Sequence, residues 1–376
     1  MSLSDFIYLD QAATSFPKPA AVKEALLYAL EGAAGNPGRS AHALAARAAE
    51  SVYDVREDIS RFFDASSPER VIFTSGATNA LNMAIFCAAA NGGHFLCSDI
   101  EHNATLRPLE HLRREGKISY DIFPSENVSA ELLSHYVKEN TVALVATHAS
   151  NVCGRVLPIR KIGEFCRRRN ILFILDAAQS AGHIPISARK DHVDILCAPA
   201  HKGLRGVLGA GVAILETERS FPPFLLGGSG SFSHDPTMPS TLPERFEAGS
   251  LPVPAILALG AAVKEIGSPR DAEAYIWELS AYLFERLSDI AGIHTVDTSP
   301  PRNGVFSFTH DSLPPGEIAE ALNDAGVFVR AGFHCAPLAH KTLGTDVCGT
   351  VRASLGVTTT KADCDIFVEQ LFRILK

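Results

Sequence analysis

The sequence predicts an α/β protein built on a mostly parallel β-sheet that helices cover on both faces, followed by a smaller α+β region. Between about residues 70 and 215, short apolar runs alternate with longer segments of helical period, which is typical of a parallel sheet with helical crossovers. Several runs are apolar at every position, as strands buried on both faces must be. From residue 221 to residue 254 the chain is rich in Gly, Ser and Pro, which predicts a long functional loop.

Seven apolar runs are predicted to be strands of this sheet, and the segments between them to be helices. The strands are expected at residues 71–74, 94–98, 118–123, 142–148, 171–176, 193–198 and 211–215. The helices are expected at residues 78–89, 103–115, 129–139 and 158–169, with a further helix at 255–266 after the loop. Because strands alternate with helices, the order favours parallel crossovers over hairpins.

The length of the chain predicts more than one domain. Its 376 residues exceed the about 100 to 200 residues of a usual single domain. Nearly half of these residues are apolar, so the chain can bury a large core. We therefore expect a large domain from residue 17 to residue 255 that holds the parallel sheet, and a smaller α+β domain made of residues 1–16 and 256–376.

Charge and composition argue against several classes of protein. The formal net charge is −8, and the short basic run Arg167-Arg168-Arg169 lies at an expected helix end, where cations favour the helix dipole, so no nucleic-acid footprint is expected. The first ten residues carry no cationic stretch followed by an apolar run, and no stretch approaches the roughly 20 apolar residues of a membrane span. The eight cysteines include no C-x-x-C pair, which favours a reduced, cytoplasmic protein with mainly buried thiols.

A phosphate site is expected where the first strand runs directly into a helix, because ligands of open α/β sheets bind beyond the carboxyl ends of the strands. Residues 75–78, which we call the phosphate cup, follow this strand. Gly76 permits close approach, and the free amides of the helix start, with the Thr78 hydroxyl, can cradle a phosphate. An ordinary helix N-cap is the alternative. Neither a G-x-G-x-x-G nor a P-loop motif occurs, so dinucleotide and P-loop sites are weak interpretations.

Two charged residues follow later strands at the same edge. Asp176 ends an otherwise apolar run, where a carboxylate is costly unless it meets a cation such as a protonated pyridine nitrogen; capping of the next segment is the alternative. Lys202 follows the sixth strand, where partial desolvation lowers the pKa of an amine and favours its attack on an aldehyde. An exposed turn lysine is commoner, but the nearby Asp176, His201 and phosphate cup favour the reactive lysine.

His102 and Cys335 are further candidates. His102 follows the second strand and can stack on a flat ring and shuttle protons, or simply cap a helix. Cys335 lies in a Gly-containing loop beside His334, where nearby cations would favour the thiolate, so a nucleophile is expected rather than an inert buried thiol. The residues His334, Cys335, His340 and Cys348 match no familiar zinc spacing, and no metal site is expected.

Seven motifs in order give the chain a resemblance to a known family. They are Ser75-Gly76-Ala77-Thr78, Glu101-His102-Asn103, Ser150-Asn151-Val152-Cys153-Gly154, Asp176-Ala177-Ala178-Gln179-Ser180, His201-Lys202, Arg245-Phe246-Glu247-Ala248-Gly249-Ser250 and Arg330-Ala331-Gly332-Phe333-His334-Cys335-Ala336. Over nearly its whole length the chain resembles the class V, fold-type I aminotransferase superfamily, and within it the cysteine desulfurase and selenocysteine lyase family of the short-loop (SufS-like) kind. This implies a large domain with a seven-stranded, mostly parallel sheet and a smaller α+β C-terminal domain.

The resemblance implies pyridoxal 5′-phosphate (PLP) as cofactor. The residues that would bind it are Gly76, Ala77, Thr78 and His201 for the phosphate, Asn151 and Gln179 for the ring hydroxyl, Asp176 for the ring nitrogen, His102 for the ring face and Lys202 for the Schiff base. Ser250 matches a position that contacts the phosphate in the neighbouring subunit, which implies a homodimer with shared active sites. Two residues depart from the family: Pro199 stands where Ser or Thr often adds a phosphate ligand, and Gln11 where Asn is common. Neither is expected to abolish cofactor binding.

The resemblance implies conversion of L-cysteine to L-alanine, with Arg352 binding the substrate carboxylate and Lys202 taking the Cα proton. Cys335 would receive the sulfur as a persulfide and pass it to a partner protein or a reductant, with iron–sulfur assembly, thiolation and selenium use all open as pathways. A selenocysteine lyase, another C–S lyase or a desulfinase would use the same PLP site and need Cys335 less. A PLP-fold partner subunit without catalysis is a further alternative, against which the intact Lys202, Asp176 and Arg352 argue.

Overall fold

The computed structural model describes residues 6–38, 40, 42–231, 234–296 and 299–376. Within these ranges, thirteen strands form three sheets. The strands are β1 (Ile7–Tyr8), β2 (Val71–Thr74), β3 (Gly93–Ser98), β4 (Ile118–Phe123), β5 (Thr141–Thr147), β6 (Leu172–Asp176), β7 (Ile195–Pro199), β8 (Gly211–Leu215), β9 (Ile293–Thr295), β10 (Val305–His310), β11 (Val327–Phe328), β12 (Arg330–Gly332) and β13 (Thr350–Ser354).

Eleven α-helices occur in the same described part of the chain. They are α1 (Ala20–Glu31), α2 (Ala43–Phe62), α3 (Ala77–Ala88), α4 (Asn103–Arg114), α5 (Ala130–Ser134), α6 (Ile159–Arg168), α7 (Val253–Glu265), α8 (Pro269–Ser288), α9 (Pro315–Asp324), α10 (Pro337–Thr342) and α11 (Lys361–Ile374). Among the described residues, no helix combines the length and the apolar character needed to cross a lipid bilayer.

The largest sheet has seven strands in the order β2-β8-β7-β6-β5-β3-β4. The strands from β7 to β4 pair in parallel, whereas β8 is antiparallel to both of its neighbours. No helix separates β7 from β8, and a parallel pairing would need a longer crossover. Each strand corresponds to one of the seven apolar runs, so the predicted seven-stranded, mostly parallel sheet is confirmed.

Apolar side chains on both faces of this sheet form its core. In β8, Val212 and Ile214 belong to one hydrophobic cluster and Ala213 and Leu215 to another, because successive side chains of a strand point to opposite faces. Every residue of β6 and β7 is buried. Cover on both faces therefore explains why these runs are apolar without alternation.

The two helices that precede residue 70, α1 and α2, are not among the elements predicted from the sequence. The buried face of α2 consists largely of small residues, among them Ala45, Ala48 and Val52. The buried positions nevertheless recur at intervals of three and four residues as far as Ile59, so the helical spacing of α2 is present in the sequence. The packing partner lies far away in sequence: α7 contacts both helices, and a Cβ added at its Gly260 would lie 2.4 Å from Val55 Cγ2 in α2.

The helix predicted at residues 129–139 is much shorter in the structure, where α5 spans only Ala130–Ser134. The Ser129 side chain caps its start by accepting from Leu132 N at 3.2 Å. At its end, His135 N and Tyr136 N donate to carbonyls three residues earlier, the tight pattern with which helices terminate. The prediction of the helix is therefore confirmed only for its first half.

The C-terminal part of the chain forms an α+β unit, as predicted. Its four-stranded antiparallel sheet has the order β12-β13-β10-β9, and β1 pairs in parallel with β11 beside it. The hydrophobic cluster beneath these strands includes residues of α8, α9 and α11 together with Leu9 from the start of the chain. The first residues thus pack with the C-terminal unit, while Val253, Ile256 and Leu259 of α7 belong to the core of the large sheet.

The segment between β8 and α7 contains no helix or strand in its described residues, which agrees with the predicted long loop. A buried ion pair anchors its end: Glu247 accepts two hydrogen bonds from Arg56, both at 2.8 Å. Glu247 Oε1 also accepts from Phe73 N of the edge strand β2 at 2.6 Å. The loop is therefore attached to the large sheet just before Ser250.

Candidate active site

A cavity of about 260 Å³ lies at the carboxyl ends of β2, β5, β6 and β7. It is lined by most of the predicted site residues, namely Gly76, Ala77, Thr78, His102, Asn151, Asp176, Gln179, His201 and Lys202. A larger hollow of about 580 Å³ at the opposite ends of the strands contains none of them. The fold thus brings together residues spread over more than a hundred positions of sequence, at the edge where parallel sheets bind ligands.

The phosphate cup leaves the start of α3 open. Gly76 precedes α3 with a φ of 152°, and no side chain caps the helix. A Cβ at Gly211 would lie 2.6 Å from Gly76 Cα, so the first residue of β8 must be this small for the cup to pack against it. The first N–H groups of a helix have no intrahelical partners, and here they border the cavity. The ordinary side-chain N-cap is therefore the wrong interpretation of this segment.

His201 lies beside the phosphate cup, and one of its ring nitrogens has no hydrogen-bond partner. Its Nδ1 is buried and has no hydrogen-bond partner, although His201 lines the cavity. Burial, followed by the charges of Lys202 and Lys18, lowers the pKa of His201 to about 4. The imidazole is therefore neutral at pH 7. Because His201 lines the cavity beside the cup, its neutral imidazole is a candidate donor to a phosphate there.

Asp176 places a buried carboxylate at the floor of the cavity. It ends β6 and pairs in register with Thr147 of β5 and Cys197 of β7. Its Oδ1 accepts from Ala178 N at 2.8 Å, an interaction two residues ahead that closes a turn; no helix follows, so the alternative of a helix cap is wrong. Burial raises the pKa of Asp176, while Ala178 N–H and Lys202 oppose that rise. A cation in the cavity would stabilise its charged form.

Lys202 faces this carboxylate across the cavity. Burial lowers the pKa of its amine to about 8, and Asp176 opposes the shift while Arg352 and Arg330 add to it. About a tenth of such an amine is unprotonated at pH 7, against less than about a thousandth for an ordinary lysine. The exposed turn lysine is therefore the wrong interpretation, and the amine is prepared for attack on an aldehyde.

The rate at which cofactor-free protein captures PLP should rise about tenfold per pH unit below pH 8 and level off above it, because only the neutral amine attacks. Stopped-flow absorbance between about pH 6 and pH 10 measures this profile. The variant Asp176→Asn removes the anion that raises the Lys202 pKa, so its plateau should begin at lower pH. A rate that kept rising to pH 10 would show that the amine is an ordinary solvated lysine.

His102 both caps a helix and lines the cavity. Its Nδ1 accepts from Ala104 N at 3.0 Å at the start of α4, so Nε2 carries the proton of the neutral ring. Burial, followed by the charges of Lys202 and Arg330, lowers the pKa of His102 to about 4. The two interpretations of this histidine are therefore compatible, because the cap fixes the ring orientation at the cavity wall.

Glu101, beside His102, is a buried residue whose role sequence analysis missed. Its Oε1 accepts from Ser98 Oγ at 2.5 Å and from Thr147 N at 2.7 Å, and its Oε2 has no partner. Burial raises the pKa of Glu101 to about 8, so the carboxyl group is protonated at pH 7. Thr147 lies between Glu101 and Asp176, since it donates to Glu101 and pairs in register with Asp176. Because Glu101 is protonated, it places no second negative charge near Asp176.

Arg352 lies beside the cavity and is 1% exposed. Its Nη2 donates to Asp10 Oδ1 at 2.7 Å and its Nη1 to the Asn151 carbonyl at 3.2 Å, while Nε has no partner. A guanidinium has five N–H donors, so capacity for a carboxylate remains. Asp10 was not predicted as a site residue, although it follows an apolar run in the same way as Asp176 does.

Cys335 lies in an exposed loop between β12 and α10. The Cys335 carbonyl accepts from Asn103 N and the His334 carbonyl from Asn151 Nδ2, both at 2.7 Å. Both residues have a positive φ, 49° for His334 and 57° for Cys335, a conformation that costs free energy in non-glycine residues. These bonds hold the loop beside His102 and Asn151, at the edge of the cavity.

His334 does not supply the cation that was expected to favour the thiolate. It is 3% exposed, and burial, followed by the charges of Arg352 and His340, lowers its pKa to about 2. A neutral ring results because a charged imidazole in this place would lose its hydration. Among the described residues, no group of three or more His, Cys, Asp or Glu side chains is placed to hold a metal ion, so the alternative metal site finds no support here.

Ser250 lies outside the cavity of its own chain. It is exposed, and its Oγ accepts from Asn36 Nδ2 at 3.3 Å. Pro199 does line the cavity, where it offers no donor, as the sequence implies. Within one chain, the cup and His201 are therefore the groups placed at this part of the cavity.

The fold and site are those of an enzyme with a reactive lysine for a phosphate-bearing aldehyde cofactor. The family model of the class-V aminotransferases matches residues 7–367, and the chain belongs to this family. It is 31% identical over 384 residues to a probable cysteine desulfurase of Methanothermobacter thermautotrophicus, covering 99% of this chain and 95% of the relative. A probable cysteine desulfurase of Halalkalibacterium halodurans is 32% identical over 383 residues, covering 98% and 93% of the two chains.

Comparison of structures gives the same result. The apo structure of the cysteine desulfurase of Thermococcus onnurineus NA1 superimposes with a TM-score of 0.90 at 26% identity, covering 99% of this chain and 95% of that one. Members of the family use PLP. The site fits this cofactor on its own geometry: the open start of α3 beside His201 suits a phosphate, the buried Asp176 suits a pyridine nitrogen, and Lys202 suits an aldehyde.

Proposed function

We propose that this protein is a PLP-dependent cysteine desulfurase that converts L-cysteine to L-alanine and transfers the sulfur through Cys335. The observation that carries the proposal is the cavity itself, where Lys202, with its lowered pKa, and the buried Asp176 lie next to a phosphate cup, with an exposed thiol at the edge. The names of the curated relatives support the same activity.

Nine residues are proposed to hold the cofactor. They are Gly76, Ala77, Thr78 and His201 at the phosphate, Asn151 and Gln179 at the ring hydroxyl, Asp176 at the ring nitrogen, His102 at the ring face and Lys202 at the aldehyde. The amide NH₂ of Asn151 donates to the His334 carbonyl and that of Gln179 to the Ala12 carbonyl, at 2.7 and 3.0 Å. Their oxygens therefore remain to accept from the ring hydroxyl.

When bound, PLP supplies an electron sink that stabilises negative charge at the substrate Cα. Asp176, ionised beside a cation, keeps that sink effective by holding a proton on the ring nitrogen. Arg352 binds the substrate carboxylate, since its guanidinium retains free donors and its one anionic partner among the described residues is Asp10. Lys202 would accept the Cα proton on Nζ, and its lowered pKa suits an amine that alternates between base and acid near neutral pH.

Cys335 is proposed as the sulfur acceptor. Its Sγ forms a bond to the substrate sulfur while the carbon–sulfur bond breaks, and the electron pair of that bond stays with the carbon fragment, which takes up a proton and leaves as alanine. The loop allows this attack because Asn103 and Asn151 bind only backbone carbonyls of His334 and Cys335, which leaves the thiol free to move. A partner protein or a reductant then removes the sulfur.

A homodimer with shared active sites is part of the proposal. The long loop is fixed by the buried Arg56–Glu247 pair, yet it carries Ser250 to the surface rather than into its own cavity. This placement suits a contact with the phosphate of a second subunit. We also propose the two domains expected from the sequence, 17–255 and 1–16 with 256–376; α7, which crosses that boundary, packs in the core of the large sheet. A cytoplasmic location is proposed because all eight cysteines are free thiols.

Incubation of the PLP-loaded protein with L-cysteine and a reductant should yield alanine and sulfide in equal amounts, because one carbon–sulfur bond breaks per turnover. Alanine is measured by mass spectrometry and sulfide by a colorimetric assay. Selenocysteine and cysteine sulfinate are assayed in parallel under the same conditions. Turnover of either at a much higher rate than cysteine would favour a selenocysteine lyase or a desulfinase, and no turnover of any of the three would favour a partner subunit without catalysis.

A further inference from the structure

One backbone carbonyl at the cavity, that of His201, is surrounded by donors from a single segment. This segment comprises residues 10–18, which we call the N-terminal segment. The donors are Lys18 Nζ at 2.8 Å, Ser15 N at 2.9 Å, Thr14 Oγ1 at 3.0 Å and Ser15 Oγ at 3.2 Å. The carbonyl belongs to the peptide that joins His201 to Lys202. The N-terminal segment therefore hydrogen-bonds to the main chain directly before the reactive lysine.

Lys18 is the charged donor of this set. Burial, followed by the charge of Arg205, lowers the pKa of Lys18 to about 8, and no carboxylate of the described residues contributes to that shift. Its other bonds go to hydroxyls, Ser15 Oγ at 2.9 Å and Thr14 Oγ1 at 3.4 Å. Withdrawing an ammonium from water without a counter-ion costs free energy. The hydrogen bond to the His201 carbonyl therefore explains why the Lys18 ammonium lies here.

Gln11 shapes the segment that carries Lys18. Its side-chain Nε2 donates to the Phe16 carbonyl at 2.6 Å, and its Oε1 accepts from Phe16 N at 3.0 Å. Thr358 Oγ1 donates to the same carbonyl at 3.0 Å. Gln11 thus closes the N-terminal segment into a loop that turns its donors toward His201.

We infer that Lys18 is a positioning residue for Lys202, because its ammonium anchors the peptide from which His201 and Lys202 both reach the cavity. The inference rests on the proposed role of Lys202 in binding the cofactor. His201 and Lys202 line the cavity, whereas Lys18 is not among the lining residues. A rotation of their shared peptide would displace the phosphate contact of His201 and the amine of Lys202 together, so Lys18 acts on cofactor binding through them.

The variant Lys18→Met removes the ammonium and keeps an apolar stem of similar length. Loss of one charged hydrogen bond at the anchoring point should weaken PLP binding about tenfold and slow the capture of PLP by Lys202. Equilibrium dialysis gives the affinity, and the absorbance change on mixing cofactor-free protein with PLP gives the rate. Lys18→Arg should restore most of both, since it keeps a cation in place, and Lys23→Met, at an exposed lysine of α1, should match the wild type.

The inference holds if Lys18→Met loses affinity and capture rate while its cofactor-free form melts at the wild-type temperature. Equal affinity and equal rate in this variant and the wild type would overturn it. If Lys18→Met melts early, Gln11→Ala provides the second measurement, because it removes the side-chain hydrogen bonds to Phe16 and keeps the Lys18 ammonium: weaker PLP binding supports the inference, and wild-type binding overturns it. Failure of the wild type to convert cysteine would refute the proposed function alone, since both variants are judged by PLP binding.

Discussion

Replacing Lys202 by alanine should lower the rate of alanine formation from L-cysteine by at least about a thousandfold. The substitution removes the amine that binds the cofactor and also the base for the Cα proton, and both roles depend on the pKa of about 8 that burial gives Lys202. Alanine is quantified under single-turnover conditions. Borohydride reduction followed by peptide mass spectrometry should show the cofactor on the Lys202 peptide of the wild type and no cofactor in the variant.

Lys190→Ala is the matched control for this experiment. Lys190 is an exposed lysine, so its loss should change neither alanine formation nor the reduced cofactor adduct. If borohydride still attached the cofactor covalently to Lys202→Ala, a different amine would be the attachment point. Lys18, with its own lowered pKa, would then be the first residue to test, and the assignment of both lysines would have to be exchanged.

Replacing Cys335 by serine should reduce sulfur transfer to an acceptor thiol by at least about a hundredfold, because the serine oxygen cannot accept the sulfur. PLP affinity should not change, since the Cys335 side chain is exposed and its backbone carbonyl still accepts from Asn103 N. Mass spectrometry after incubation with L-cysteine measures the effect directly. The wild type should carry one added sulfur atom on the Cys335 peptide, and the variant none.

Cys348→Ser is the matched control, because Cys348 is the other exposed thiol of the chain. Its Sγ donates to the Gly349 carbonyl at 3.4 Å, and we assign it no role in the reaction. It should transfer sulfur at the wild-type rate. Loss of the added sulfur in Cys348→Ser with its retention in Cys335→Ser would show that the wrong thiol has been assigned. Selenocysteine or sulfinate turnover that persists in Cys335→Ser would indicate the related lyase chemistries.

Much of the large sheet could be predicted because burial on both faces leaves a local signal. The runs that become β6 and β7 are apolar throughout, and each ends next to a polar residue, Asp176 in one case and the His201-Lys202 pair in the other. Since parallel strands place their carboxyl ends at one edge, that local signal was enough to predict that these residues meet. The helix α2 also carries a local signal, a buried face at helical spacing, although it was not predicted.

The electrostatic state of the site could not be predicted from neighbours in sequence. His334 was expected to act as a cation for Cys335, yet its burial lowers its pKa to about 2. Glu101 resembles an ordinary surface acid in the sequence and proves to be fully buried. Both outcomes follow from desolvation, which depends on how many atoms from distant segments surround a group and not on the residues beside it in the chain.

By itself, the sequence determined the sheet and the edge at which the site lies, because strand periodicity and strand ends are properties of short segments, while the resemblance to the family added Ala77, Asn151 and Gln179 to the residues read from the strand ends. Only the tertiary structure decided that Asp10 pairs with Arg352, that Ser250 lies outside its own cavity, and that Lys18 holds the carbonyl before Lys202. Each of these contacts joins segments well over a hundred residues apart, and such pairings arise from the packing of the folded chain, which no local pattern of residues specifies.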